Sequence, residues 1–154
     1  MKRVHVSVNV DNLEEAVRYY AALFGAEPDV LKEDYARFRL DEPSINFSMT
    51  SRGRTAGVDH MGIDVDSEEE LHEVTQRLKA AGHATSDISD GVCCYARSAK
   101  SWSVDPAGVP WETFHTRAGA TVYGTDRIDD GAIAASAQED GRTITSAARE
   151  ACCT

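Results

Sequence analysis

A pattern that runs once from residue 3 and starts again at residue 57 constrains this chain more than any other feature. Segment 3–10, RVHVSVNV, alternates Val4, Val6, Val8 and Val10 with His5, Ser7 and Asn9. That alternation is a strand with one apolar and one polar face. Asp11-x-x-Glu14 has the form of a capping box. Leu13, Ala16, Val17, Tyr20, Leu23 and Phe24 then recur at helical spacing, and Gly25 is a natural stop. Short runs near 28–31, 35–40 and 45–50 read as strands. In the second pass, GVDHMGIDV (57–65) sets Met61, Ile63 and Val65 against His60, Gly62 and Asp64. Ser67-x-x-Glu70 is a second capping box, Leu71, Val74, Leu78 and Ala81 form the helical stripe, and Gly82 ends it. Strands are expected near 84–89, 92–97, 101–105 and 110–116.

The order is therefore βαβββ twice, with equivalent histidines 55 positions apart. This predicts an α+β domain over 1–117. Module 1 spans about 3–51 and module 2 about 57–116, paired into a curved mixed sheet around a central cavity with the helices outside. The aliphatic faces belong against the helices, so His5 and His60 both turn to the concave side. Asn46 shares a face with Ser48, and in module 1 it takes roughly the place that Glu112 has in module 2. From Ala118 the periodicity fades into Gly, Ala, Ser, Thr and Asp. Residues 118–154 read as a tail, partly disordered, with a short helix near 143–151.

The chain has 154 residues, 42% hydrophobic and 27% charged, which is one soluble domain's worth. Its net charge of −10 repels phosphate backbones and anionic lipid, which argues against nucleic-acid and membrane-surface roles. The first residues lack the apolar run of a signal peptide, and no segment is long enough to span a bilayer. The expectation is a cytoplasmic protein whose oligomeric state is not encoded legibly. The four cysteines form two adjacent pairs, Cys93-Cys94 and Cys152-Cys153. Adjacent Cα atoms lie ~3.8 Å apart, closer than ordinary disulfides prefer. Neither pair has zinc-site spacing. Two neighbouring thiols suit the chelation of a soft, thiophilic atom. Asp90-Gly91 signals a tight turn just before the first pair.

Repeated βαβββ modules with a His on each first strand, and DPAGVPWETF (105–114) with a Glu on the last, resemble the vicinal oxygen chelate superfamily. That superfamily holds glyoxalase I, extradiol dioxygenases and bleomycin or fosfomycin resistance proteins. The resemblance covers about residues 3–116. Within it, NVDNLEEAVRYYAALFGAEP (9–28), DGVCCYARSAKSWSVDPAG (90–108) and the cysteine-ending tail are similar to the organoarsenical carbon–arsenic lyases. The resemblance implies a non-haem Fe(II) enzyme. It would use O2 to cleave the carbon–arsenic bond of trivalent organoarsenicals, methyl or aromatic, and release arsenite. It places the metal ligands on His5, His60 and Glu112 and the arsenic-binding thiols on Cys93 and Cys94.

Two imidazoles and a carboxylate leave open positions on a metal and form the ligand set of non-haem Fe(II) oxygenases. Zinc hydrolases also use His2Glu, so the ligands alone do not choose the metal. Asn46 is too short for the fourth ligand that some members of the superfamily carry. An extradiol catechol dioxygenase needs the same triad but no thiols. A drug- or metalloid-sequestering resistance protein shares the fold and needs no triad. Cys152 and Cys153 read either as auxiliary thiols for capture or as an incidental pair. His72 and His83 fall on or after the second helix as solvated residues. His115 has the opposite parity to Glu112, which points to packing. Tyr95 and Trp102 read as core or pocket wall, and Lys100 and Ser101 receive no role.

Overall fold

The computed structural model describes residues 1–124. Its elements in order are β1 (Arg3–Asn9), α1 (Leu13–Phe24), β2 (Val30–Leu31), β3 (Tyr35–Leu40) and β4 (Ile45–Thr50), then β5 (Gly57–Asp64), α2 (Glu68–Ala80), β6 (Ser89–Cys93), β7 (Ala96–Val104) and β8 (Pro110–Gly119). This is βαβββ twice, as the repeat requires. All eight strands form one curled mixed sheet in the order β2-β3-β4-β1-β5-β8-β7-β6. β1 and β5 meet antiparallel at its centre, and each is flanked on its other side by its own module's last strand, running parallel.

The two faces of the sheet follow from the alternation. Val6, Val8 and Val10 turn to the convex face and pack with Leu13, Phe38, Phe47 and Met49 beneath α1. Phe24 and Tyr20 from α1 sit on the Phe47 ring at 5.5 and 4.3 Å between centroids. The second module has a smaller core of Val65, Leu71 and Ala99, with Ile63 and Ile88 against it. Polar residues at the intervening positions, among them His5, Ser7, Asn46, Ser48, His60, Lys100 and Glu112, are buried too. They are buried because they line the inner part of a cavity on the concave face, not because they pack in the core.

Several local expectations shift. The α1 cap is Asn12, whose side chain accepts from Glu15 N at 3.1 Å, one position later than the expected box. Gly25, at φ 63°, ends the helix in the left-handed conformation that glycine adopts without a Cβ penalty. Ser67 caps α2 as expected. Asp90 and Gly91 are not a turn: they pair with Ala99 and Ser98 inside β6. The turn is Cys94-Tyr95, between the paired Cys93 and Ala96, with both central residues at positive φ. That is the two-residue turn whose twist matches a hairpin. Strand β8 runs to Gly119, two residues past the expected domain boundary, and Tyr123 and Gly124 beyond it line the cavity. The expected disorder and short helix of the tail, and the pair Cys152-Cys153, lie outside the described residues.

Candidate active site

His5 on β1 and His60 on β5 face each other across the sheet centre with Nε2 atoms 3.2 Å apart. Register explains this. Ser7 pairs with His60 and His5 with Gly62, so the two histidines sit on either side of a local two-fold about Val6 and Met61. Glu112 joins them from β8, paired with Gly62, and its carboxylate lies 3.6 Å from His60 Nε2. The three ligand atoms all lie within 4.8 Å of one another. A Cβ on Gly62 would overlap the carbonyl oxygen of Glu112, so only glycine lets β8 come this close.

The same register corrects the expected equivalence of Asn46. Asn46 pairs with His5, whereas Glu112 pairs with Gly62, the counterpart of Ser7. Ser7 pairs with Ser48. Ser48 therefore occupies the module-1 position corresponding to Glu112, and Asn46 lies two pairs away on the same face. The Asn46 amide nitrogen donates to Asp64 at 3.0 Å, and its Oδ1 has no partner among the described residues.

The donor set fits a divalent metal. His5 Nδ1 donates to the Asn46 backbone oxygen at 2.8 Å, and His60 Nδ1 donates to Asp59 at 2.8 Å. Each ring thus presents Nε2 to the same point, the orientation that outer hydrogen bonds impose on metal-binding imidazoles. Asp59 reaches its own neighbour's ring because of a bulge. Ser7 pairs with His60 but Val8 with Val58, so Asp59 is the extra residue. Asn9 Nδ2 fixes the other carboxylate oxygen of Asp59 at 2.9 Å. Burial opposes ionisation of Glu112, but Lys100, His60 and His5 outweigh it and hold the carboxyl far below its usual range. Lys100 is only 3% exposed and lies 3.1 Å from Glu112.

The thiols enter the same cavity, of about 350 Å³. Cys93 Sγ and Cys94 Sγ are 3.2 Å apart. Successive side chains on a strand diverge, and the left-handed turn at Cys94 (φ 56°) and Tyr95 (φ 60°) removes that divergence. Contact with the Cys94 sulfur lowers the Cys93 pKa, and nearby Lys100 lowers it further against burial. Cys94 is pushed well up by its contact with Cys93 and by burial. It also faces the Tyr123 hydroxyl at 3.6 Å. Tyr95 Oη donates to Asp34 at 2.7 Å and ties this turn to the loop before β3, closing the curled sheet. His115 Nδ1 faces the Val65 backbone oxygen, away from the triad, as its parity implied.

Lys100, Asp59 and Tyr123 were not assigned roles by sequence reasoning. Lys100 shares the parity of Trp102, whose indole packs on His60 at 5.1 Å, so alternation along β7 was the available signal. Nothing local marks the bulge at Asp59. Tyr123 follows the last apolar pattern.

A repeated module around a His2Glu centre defines the class. The chain belongs to the Glyoxalase/Bleomycin resistance protein/Dioxygenase superfamily, whose family model matches residues 2–113. Among relatives, the chain is 43% identical to a trivalent organoarsenical cleaving enzyme from Bacillus sp. (strain MD1), over 76% of this chain and 74% of that one. It is 39% identical to a probable trivalent organoarsenical cleaving enzyme from Bacillus subtilis (strain 168), over 82% and 88%. It is also 34% identical to the cadmium-induced protein CadI of Mycobacterium tuberculosis (strain ATCC 25618 / H37Rv), over 81% and 83%. An extradiol ring-cleaving dioxygenase from B. fuscum shares the fold at TM-score 0.56 and 21% identity, over 77% of this chain and 33% of that one.

Proposed function

We propose that this protein cleaves the carbon–arsenic bond of trivalent organoarsenicals, methyl or aromatic, using Fe(II) and O2, and releases arsenite. The observation that carries the reading is one cavity faced by a His2Glu centre and by two converging thiols. His5, His60 and Glu112 would hold the metal. A ferrous ion there supplies redox chemistry and open positions for O2, which zinc does not. Cys93 and Cys94 would dock the arsenic. The Cys93 thiolate forms one sulfur–arsenic bond as hydroxide leaves. Cys94 then forms the second, and its proton departs with the second hydroxide as water. The organic substituent stays free to face the metal side of the cavity. Lys100 keeps Glu112 ionised and favours the Cys93 thiolate, so one buried cation serves both halves of the site. Reduced thiols at this position suit the cytoplasm.

The second reading is an extradiol catechol dioxygenase, favoured by the shared triad and the fold likeness. It leaves the strained cysteine turn without a task. A test that separates the two uses metal-free protein reloaded anaerobically with Fe(II) or Zn(II), then phenylarsenite, then oxygen. Arsenite is expected only with Fe(II) and oxygen. Cys93→Ser and Cys94→Ser should keep iron but lose arsenical binding, because a hydroxyl is a poor arsenic ligand. His60→Ala should bind arsenic and lose iron. Serine variants that bind and cleave like the parent would transfer the assignment to ring cleavage.

A further inference from the structure

The charge of the cavity wall is opposite to that of the molecule. The chain carries −10 overall, yet the cavity is lined by Arg37, Arg52, Arg54 and Lys100 against only Asp59 and Glu112 as acidic side chains. Lys100 is committed to Glu112, and Arg37 is held by three bonds to Asp29. The two remaining arginines stand on the loop between β4 and β5. Arg52 lies over the Tyr123 ring, its guanidinium carbon 4.2 Å from the centroid, and one of its terminal nitrogens binds Asp34. Its other donors have no hydrogen-bond partner among the described residues, and its side chain is 45% exposed. Arg54 touches Asp59 at 3.5 Å and is half-exposed.

Position gives these arginines a ligand. The Tyr123 hydroxyl is the group 3.6 Å from Cys94, and Arg52 covers the same ring. Tyr123 thus spans from the thiol pair to the guanidinium. An aromatic substituent on an atom held by Cys94, with its arsenic-bound carbon turned to the metal side, can bring its far end to Arg52 on the wall of the same cavity. A planar guanidinium with free donors recognises a carboxylate, sulfonate or phenolate, and stacking on an aromatic ring fixes its plane. A cationic mouth on an acidic protein also concentrates anionic ligands there.

We propose that Arg52, assisted by Arg54, is a specificity determinant that selects organoarsenicals whose organic group ends in an anion. The inference rests on the proposed arsenical reading. The test compares phenylarsenite with 4-carboxyphenylarsenite, both trivalent, on iron-loaded parent, Arg52→Gln and Arg54→Gln. The readout is the ratio of the two KM values within each enzyme, so a general loss in a variant cancels. The parent should favour the carboxylated substrate roughly fivefold, the scale of a partly exposed ion pair. That ratio should fall to about one in Arg52→Gln. In the parent, added salt should raise KM for the carboxylated substrate alone. A parent that cleaves both substrates with equal KM overturns the anion subsite and leaves the arsenical reading standing. A parent that binds neither overturns both. An unchanged ratio in Arg52→Gln with full salt sensitivity also overturns the assignment to Arg52.

Discussion

Burial opposes a positive charge on His60, yet the carboxylates of Asp59 and Glu112 prevail and raise its pKa to about 9. His5 goes the other way: burial, then repulsion from His60, lowers it to about 4 despite Glu112. The metal-free protein at neutral pH therefore carries one extra proton on the pair, held by His60 as imidazolium while His5 is neutral. A metal needs that lone pair, so binding must expel the proton. The expected outcome is release of about one proton per ion near pH 7, with affinity rising as pH climbs towards 9. Calorimetry in buffers of different ionisation enthalpy reads this directly, and proton-free binding would contradict it. Linkage in the metal-free state follows the same signs. His60 contributes stability that is present below pH 6.5 and lost as pH rises through 9. His5, depressed, removes stability as pH falls from 6.5 to 4. Gly62 offers a second test at this scale. Gly62→Ala should push β8 off β5, costing about 1–3 kcal/mol by overpacking, and should weaken metal binding through Glu112. Thermal melts and metal content on one preparation check both effects, and a full metal load would show that β8 adapts. The triad was legible because alternation assigns each ligand a face. Asp59 was not, because a bulge breaks the alternation that would have placed it on the other side.

The hairpin of β6 and β7 is the element whose conformation matters most. Its turn holds two non-glycine residues in the left-handed region, each costing roughly 1 kcal/mol, and what surrounds them makes up the difference. Tyr95 is held by Asp34, and its carbonyl accepts from Ala120 N. Gly124 bridges to Cys93, and Tyr123 backs Cys94. The segment after β8 is therefore part of the thiol site. A chain ended after Gly124 should bind trivalent arsenicals like the full protein. A chain ended after Gly119 should keep its metal and bind arsenicals about tenfold more weakly, since the turn loses its supports. Metal content with arsenical titration on both variants decides it, and equal titrations would remove the segment from the site. The adjacency of the two thiols was legible. The turn position was not, because Asp90-Gly91 has the stronger local turn signal and strand pairing overrode it.

Across the whole molecule, the candidate metal centre stitches the two modules. His5 comes from one, and His60 and Glu112 from the other. An ion bound there stabilises the folded state over the unfolded chain by mass action, about 2.7 kcal/mol at a hundred times its dissociation constant. For a domain of this size that is a rise in Tm of roughly 5–10 °C, reversible by a chelator and absent in His5→Ala. Scanning calorimetry with and without Fe(II) tests it, and an unmoved Tm in the parent would refute binding at the module junction. No helix among the described residues is long and apolar enough to cross a membrane.

By itself the sequence determined the two modules, the direction each strand face looks, and the residue types that meet in the cavity. These are local properties: side-chain period is two in a strand and about 3.6 in a helix, and a repeat copies them. Only the tertiary structure decided which positions are equivalent across the modules, where the cysteine turn falls, and that Tyr123 reaches Cys94 while Arg52 covers the Tyr123 ring. Those outcomes depend on strand register, on a bulge, and on contacts between residues far apart in the chain. Hydrogen bonding between strands and closure of the curled sheet settle them, and no window of sequence contains that energy.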